Sequence, residues 1–269
     1  MNINNAYVIA KKEFGFNIKN HWFLLSSVIF CFLNFIIIYF GEIISGDYSQ
    51  TDIRSLSLSI IHLQMYLIPL FSFILSYDAI LSERESGVLD LILSYRVTLL
   101  EVMFGKLLGN CIVFTISFLL GFLPVFLYLY FLGIKFLVLF KFVLVSIWLS
   151  FIFNSFALYV SNSSKDRTFV ILLSIFIWLF FIFVYDIIFT FFVVLFYGSI
   201  SNYFLNFLLF FNPAEMFRLI SIFYFIPNDI TDLFGINVSS FNNFYVCLSM
   251  FIWVVFVFFS FLFFYFEKK

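Results

Sequence analysis

The sequence predicts an all-α integral membrane protein with six transmembrane helices, and three observations support this. The 269-residue chain is 64% hydrophobic and only 11% charged, with a mean hydropathy of +1.14, whereas a soluble domain is about 45–50% apolar. Uncharged stretches recur along it at the length of about 20 residues that a helix needs to cross a bilayer. Lysine and arginine are spread unevenly over the connecting loops. The 48 phenylalanines fit the same class, because a lipid-facing helix accepts Phe wherever it accepts Leu.

Residues 1–21 read as an amphipathic helix in the headgroup plane. Tyr7, Ala10, Phe14 and Ile18 form one stripe, with Lys11, Lys12, Glu13 and Lys19 off it. This segment is not expected to be a signal peptide, since its apolar run is span-length and no small-residue cleavage site follows. The gaps between formal charges then place the spans. They run Trp22–Phe40, Ser55–Tyr77, Leu107–Ile134, Phe142–Ser164, Thr168–Tyr185 and Leu233–Phe266. A seventh uncharged stretch, Ile187–Ala214, is interrupted by Asn202, Asn206, Asn212 and Pro213. Counting it as a span would put the closing Glu267-Lys268-Lys269 on the opposite side. The region 199–240 is therefore expected to be a re-entrant or interfacial outer segment before helix six, covered by protein or lining a cavity. The whole chain, 1–269, forms one transmembrane domain.

With six spans, ten Lys and Arg residues share a side with both termini and four lie opposite, namely Arg54, Lys135, Lys141 and Arg218. The positive-inside rule puts both termini in the cytoplasm. The net charge of −1 says nothing about nucleic acid, and no basic tract is long enough to bind it, so no nucleic-acid partner is expected.

Catalytic patterns are missing. The sequence holds no H-E-x-x-H, no G-x-S-x-G and no Walker motif, and Gly105-Lys106 lacks the upstream glycine and is followed by Leu107. No catalytic residue and no metal site is expected. Cys31, Cys111 and Cys247 are far apart in apolar runs with no C-x-x-C between them. His62 and Met65, three apart, share a helix face. They read either as two soft ligands on a copper path or as plain packing. Asp186, near the outer interface, reads equally as a pathway group or as a hydrated one.

The densest charge lies between Tyr77 and Lys106, where "SERESGVLDLILSY" reads as a short amphipathic cytoplasmic helix at 82–98. Val88, Leu91, Ile92 and Tyr95 fall on one side, Ser82 and Glu85 fit a capping box, and Gly87 allows another backbone to approach. Further on, in "FNPAEMFRLI", Pro213 suits the first turn of a helix that a Glu215–Arg218 pair would hold.

Together these residues resemble the ABC-2 type permeases, the membrane half of ATP-binding-cassette transporters. "AKKEFGFNIKNHWFL" resembles the family's opening pattern. "ERESGVLDLILSYRVT" resembles its coupling helix between helices two and three, E-x-x-x-G-T/V-L-x-x-L-L-S, with Arg96 where proline is common. "SERESGVLDLILSY" and "FNPAEMFRLI" are most similar to the permeases that serve maturation of nitrous oxide reductase. The resemblance implies a bacterial inner-membrane homodimer with a periplasmic partner. It also implies a separate cytoplasmic ATPase that binds ATP and Mg²⁺, so the chain itself carries no cofactor. Glu83, Arg84, Glu85, Gly87, Asp90, Leu91 and Ile92 would couple to that ATPase. Asn212, Pro213, Glu215 and Arg218 would form an outer gate or partner contact, and His62, Met65 and Asp186 would be candidate pathway residues. The implied cargo is a sulfur or copper species. The rival readings are a general exporter of lipid, glycan or drug, and a membrane scaffold that transports nothing.

Overall fold

The computed structural model describes residues 3–45, 50–95, 97–164, 166–195, 208–225 and 250–256. The described residues are almost wholly helical and include no strand. Helix α1 covers Ile3–Asn17, α2 His21–Ser45 and α3 Gln50–Ser76. The short α4 (Leu81–Glu85) and α5 (Val88–Ser94) follow, then α6 (Leu99–Phe131) and α7 (Phe136–Ser163). Helix α8 (Arg167–Leu179) passes through a π-helical turn, Phe180–Val184, into α9 (Tyr185–Leu195). Helix α10 is Pro213–Phe225.

Five stretches are long and apolar enough to cross a membrane: His21–Gly41, Ile53–Glu85, Leu99–Phe131, Phe136–Ser163 and Arg167–Leu195. They correspond in order to the first five expected spans. Of the sixth, Leu233–Phe266, residues 250–256 are described and helical; the remainder, with most of 199–240 and Arg96, lies outside the described residues. Two spans begin a turn or more earlier than the uncharged gaps suggested. Helix α6 starts at Leu99 rather than Leu107 because Glu101 and Lys106 are buried inside it with partners. Helix α7 starts at Phe136 rather than Phe142, with the Lys141 ammonium 4.6 Å over the Tyr224 ring of α10. A charge marks the end of a span only when nothing in the protein satisfies it.

Lipid tails are as apolar as the side chains, so water exclusion does not hold such helices together; close packing and interhelical hydrogen bonds do. Phenylalanine supplies much of the packing and is not confined to the lipid side. Phe114, Phe118 and Phe122 stack down α6 with centroids 6.2 and 5.3 Å apart. Phe30 of α2 meets Phe118 edge-on at 5.5 Å, and Phe142 of α7 carries the cluster to Phe217 of α10 at 5.7 Å.

Helix α1 packs alongside the start of α6. A Cβ on Gly105 would stand 2.7 Å from the Ile9 Cβ, and one on Gly109 2.7 Å from the Glu13 Cβ. Only glycine allows that contact, and the pair is a G-x-x-x-G groove. The groove selects the small face of α1, so Ala6, Ile9, Ala10, Glu13 and Asn17 are buried. Of the expected stripe, Ala10 lies in the groove while Tyr7 is 67% exposed, together with Val8 and Phe16.

Candidate functional site

The charged insertion is two helices rather than one over 82–98. The break falls at Gly87, whose φ of 73° is left-handed and costs a residue with a Cβ about 1–2 kcal/mol. Nothing lies within 4 Å of a Cβ placed there, so Gly87 serves the turn and admits no neighbouring backbone of this chain. The expected capping box at Ser82 and Glu85 does not form. The Ser82 hydroxyl donates instead to the Asp78 carbonyl. Ser161 of α7 accepts from the backbone N–H groups of Ile80 and Leu81, both at 3.1 Å, and so caps α4 from another helix. A true capping box opens α6, where Thr98 N donates to Glu101 Oε2 and Glu101 N to Thr98 Oγ1.

Each charged side chain of α4 is bound within the chain. Glu83 accepts from Lys12 of α1 at 2.8 Å and pairs with Lys106 of α6 at 3.0 Å. Lys106, 1% exposed, also reaches Glu13 at 2.5 Å. A buried ammonium between two carboxylates is held only because both are present; removing one partner of such a pair costs about 3–5 kcal/mol. Arg84 donates to the carbonyls of Asn162 and Ser164 and to Asn162 Oδ1 at 2.8 Å. Glu85 accepts from Arg167 Nε at 2.8 Å. Four elements thus grip α4: α1, α6, the end of α7 and the start of α8.

Helix α5 divides differently. Leu89 is buried, and Ile92 and Leu93 pack beside it against Val102, Met103 and Leu107. Val88, Leu91 and Tyr95 point outward, with Leu91 59% and Tyr95 72% exposed, and Asp90 is exposed beside them. Ile92 therefore leaves the expected stripe for the core, while Val88, Leu91 and Tyr95 remain as a surface row at helical spacing.

Behind this end runs a polar chain that sequence reasoning missed. Asn17 of α1 donates to Asn110 of α6 at 2.7 Å, Asn110 to Ser76 of α3 at 2.7 Å, and Ser76 to Asn154 of α7 at 2.6 Å. Four helices are stitched by side chains that would otherwise be unsatisfied in hydrocarbon. The only sequence signal was the presence of asparagines within apolar runs.

At the opposite end, Pro213 opens α10 and Asn212 caps it through Ala214 N at 2.9 Å. The Asn212 amide also donates to the Phe181 carbonyl at 2.7 Å, inside the π-helical turn, and the Tyr185 hydroxyl donates to the Leu208 carbonyl. Such a turn displaces backbone carbonyls from their usual partners, and Asn212 supplies one. The Glu215–Arg218 pair forms at 2.5 Å, with Glu215 fully buried. Asn212, Pro213 and Glu215 are all buried, as is most of α10, which packs on α3 and α7. Asn212, Pro213 and Glu215 thus pack inside this chain's own bundle. His62 of α3 lies within electrostatic reach of Arg218 and Asp186, which joins two of the three pathway candidates. Met65 instead belongs to the main core. Among the described residues no three His, Cys, Asp or Glu side chains converge as a metal site.

The helices define an integral membrane bundle, and the sequence comparison gives its class. A family model, the ABC-2 family transporter protein, matches residues 7–269, and the chain belongs to that family. It is 30% identical over 226 residues to a probable ABC transporter permease protein NosY from Stutzerimonas stutzeri, covering 82% of each chain. A second protein of that name, from Pseudomonas aeruginosa, is 29% identical over 223 residues, covering 81% of each.

Proposed function

We propose that the chain is a NosY-like permease that dimerises with a second copy and is driven by a separate cytoplasmic ATPase resembling NosF. On this reading it relays a sulfur or copper species, with a NosD-like periplasmic partner, for copper-site assembly in nitrous oxide reductase. ATP and Mg²⁺ belong to the ATPase, and both termini lie in the cytoplasm of a bacterial inner membrane. The similarity to two NosY permeases supports the NosY-like reading.

The observation that carries the coupling assignment is the outward row Val88, Leu91 and Tyr95 on α5. An apolar row beside a fixed charged base suits a protein partner better than water. Glu83, Arg84 and Glu85 hold the base, Gly87 sets the angle, Ile92 roots α5, and Leu91 with Asp90 meets the ATPase. At the other end, Asn212, Pro213, Glu215 and Arg218 act as an inward-facing gate on the π-helical turn rather than as a partner surface, and His62 and Asp186 line the route beneath it.

The test is co-purification of the ATPase with Leu91→Asp/Tyr95→Ser permease. Loss of about 2 kcal/mol or more from a contact hot spot predicts assembly reduced more than tenfold, with helical content unchanged. Normal assembly would reject the docking face. Ser163→Cys, in a background lacking the native cysteines, should label from the cytoplasmic side only; labelling from outside would reverse the orientation.

A further inference from the structure

Helix α4 is joined to its neighbours in sequence by turns, residues 77–80 before it and Gly87 after it. It is clamped, however, to the end of α7, about eighty positions away. A helix begins with N–H groups and ends with carbonyls that have no partner inside it, and here each helix end supplies what the other lacks. The N-cap of α4, Ile80, has no side chain that can accept a hydrogen bond. Ser161 Oγ accepts instead from Ile80 N and Leu81 N, both at 3.1 Å. In return the Arg84 guanidinium donates to the carbonyls of Asn162 and Ser164, at 2.9 and 3.3 Å, where α7 ends. A cation at that end also suits the helix dipole. Beside the two caps, Leu81 is buried with Val160 of α7 and Val170 of α8. We infer that this reciprocal cap makes α4, the end of α7 and the start of α8 move as one piece, so that displacement of the insertion reaches the fourth and fifth spans as well as the second and third, which it joins in sequence.

Different side chains of the insertion lead to different helices. Glu83 reaches α1 and α6 through Lys12 and Lys106, and Leu89 of α5 packs in the cluster with Val102, Met103 and Leu107 of α6. Leu81 and Arg84 reach α7 and α8 instead. Packed side chains and hydrogen-bond networks of this kind carry coupling between distant parts of a protein. The half-exposed Arg167–Glu85 pair at the rim contributes little. The grip comes from Leu81, Ser161 and Asn162, which are buried, because buried polar groups pulled from their partners are left unsatisfied. Arg84 and Ser161 are therefore positioning residues that act through α7 and α8. The docking reading above supplies what moves α4, and the inference rests on it for that step; the clamp itself belongs to the permease alone.

The experiment is hydrogen–deuterium exchange of the full-length permease, alone and in complex with its ATPase, with and without ATP trapped by vanadate. In the permease alone, Arg84→Ala should speed exchange of the Ile80 and Leu81 amides about tenfold, the effect of losing one charge-assisted hydrogen bond. The Arg84 side chain bonds to α7 and to neither amide, so only a cooperative cap predicts that result. Arg84→Lys, which keeps the charge but not the planar fork, should fall between. In the complex, trapping ATP should change exchange both in residues 158–170 and in residues 99–106. Ser161→Ala should abolish the first change and keep the second. Unaltered exchange at Ile80 and Leu81 in Arg84→Ala would overturn the inference. So would a change at 158–170 that survives Ser161→Ala, or one lost together with the change at 99–106, since neither follows from a separate route through the cap. An ATPase that fails to bind the unaltered permease would sink the docking reading, while exchange in the permease alone would still decide the clamp.

Discussion

Helices α4 and α5 lie two residues apart in one short insertion, and they solve different problems. In α4 the charged residues Glu83, Arg84 and Glu85 are all engaged by other parts of the same chain. In α5 the single charge, Asp90, is exposed, and the outward surface is largely apolar. Sequence reading assigned the charges to an external partner and the apolar row to the same side as Ile92. In the structure Glu83, Arg84 and Glu85 have partners within the chain, while Val88, Leu91 and Tyr95 are exposed. On the proposed coupling role, α4 would be the fixed base of a lever and α5 its open tip.

The comparison can be broken most severely at the base. Lys106→Ala would leave Glu13 and Glu83 buried without their shared cation, and unfolding in detergent should show a loss of about 3–5 kcal/mol. Leu91→Asp alone, at the tip, should leave that stability unchanged while weakening ATPase binding in the same preparations. A melting point that falls as far as for Lys106→Ala would erase the distinction between the helices.

Gly87→Ala tests the hinge between them. The left-handed φ predicts a cost of about 1–2 kcal/mol, read as a modest drop in thermal midpoint with weaker assembly. No change in either would mean that the break is not held in that conformation. Smallest of all should be Arg167→Gln. Its pair with Glu85 is half exposed, and such surface pairs contribute about 0–1 kcal/mol. A larger loss of stability would show that the outer rim of the base, and not only its buried centre, holds α4.

The spans were legible because hydrocarbon punishes unpaired charge, which is why His21–Gly41 and Arg167–Leu195 nearly coincide with or contain the uncharged gaps. The rule failed at Lys106 and Lys141 because those cations find partners from helices distant in sequence. Two missed features carried readable signals. Gly105-x-x-x-Gly109 is a packing motif, and Thr98-x-x-Glu101 is a capping box as good on paper as the one at Ser82. What separates the two boxes is Ser161, which already satisfies the start of α4 from α7, a contact spanning about eighty positions that local pattern cannot reveal. The buried Glu215–Arg218 pair was expected as a pair, but its enclosure depends on how α10 inserts between α3 and α7.

The π-helical turn at Phe180–Val184 has a mechanical consequence for everything beyond it. Such a turn accommodates one residue more than an α-turn, and each α-helical residue advances the azimuth by about 100°. Tyr185 and Asp186 therefore point about 100° away from where an uninterrupted helix would aim them. Straightening the turn would swing Tyr185 away from Leu208, and Asn212 would lose the Phe181 carbonyl at the same moment. A screw-like rotation of one half of one helix would suffice to part α9 from the start of α10.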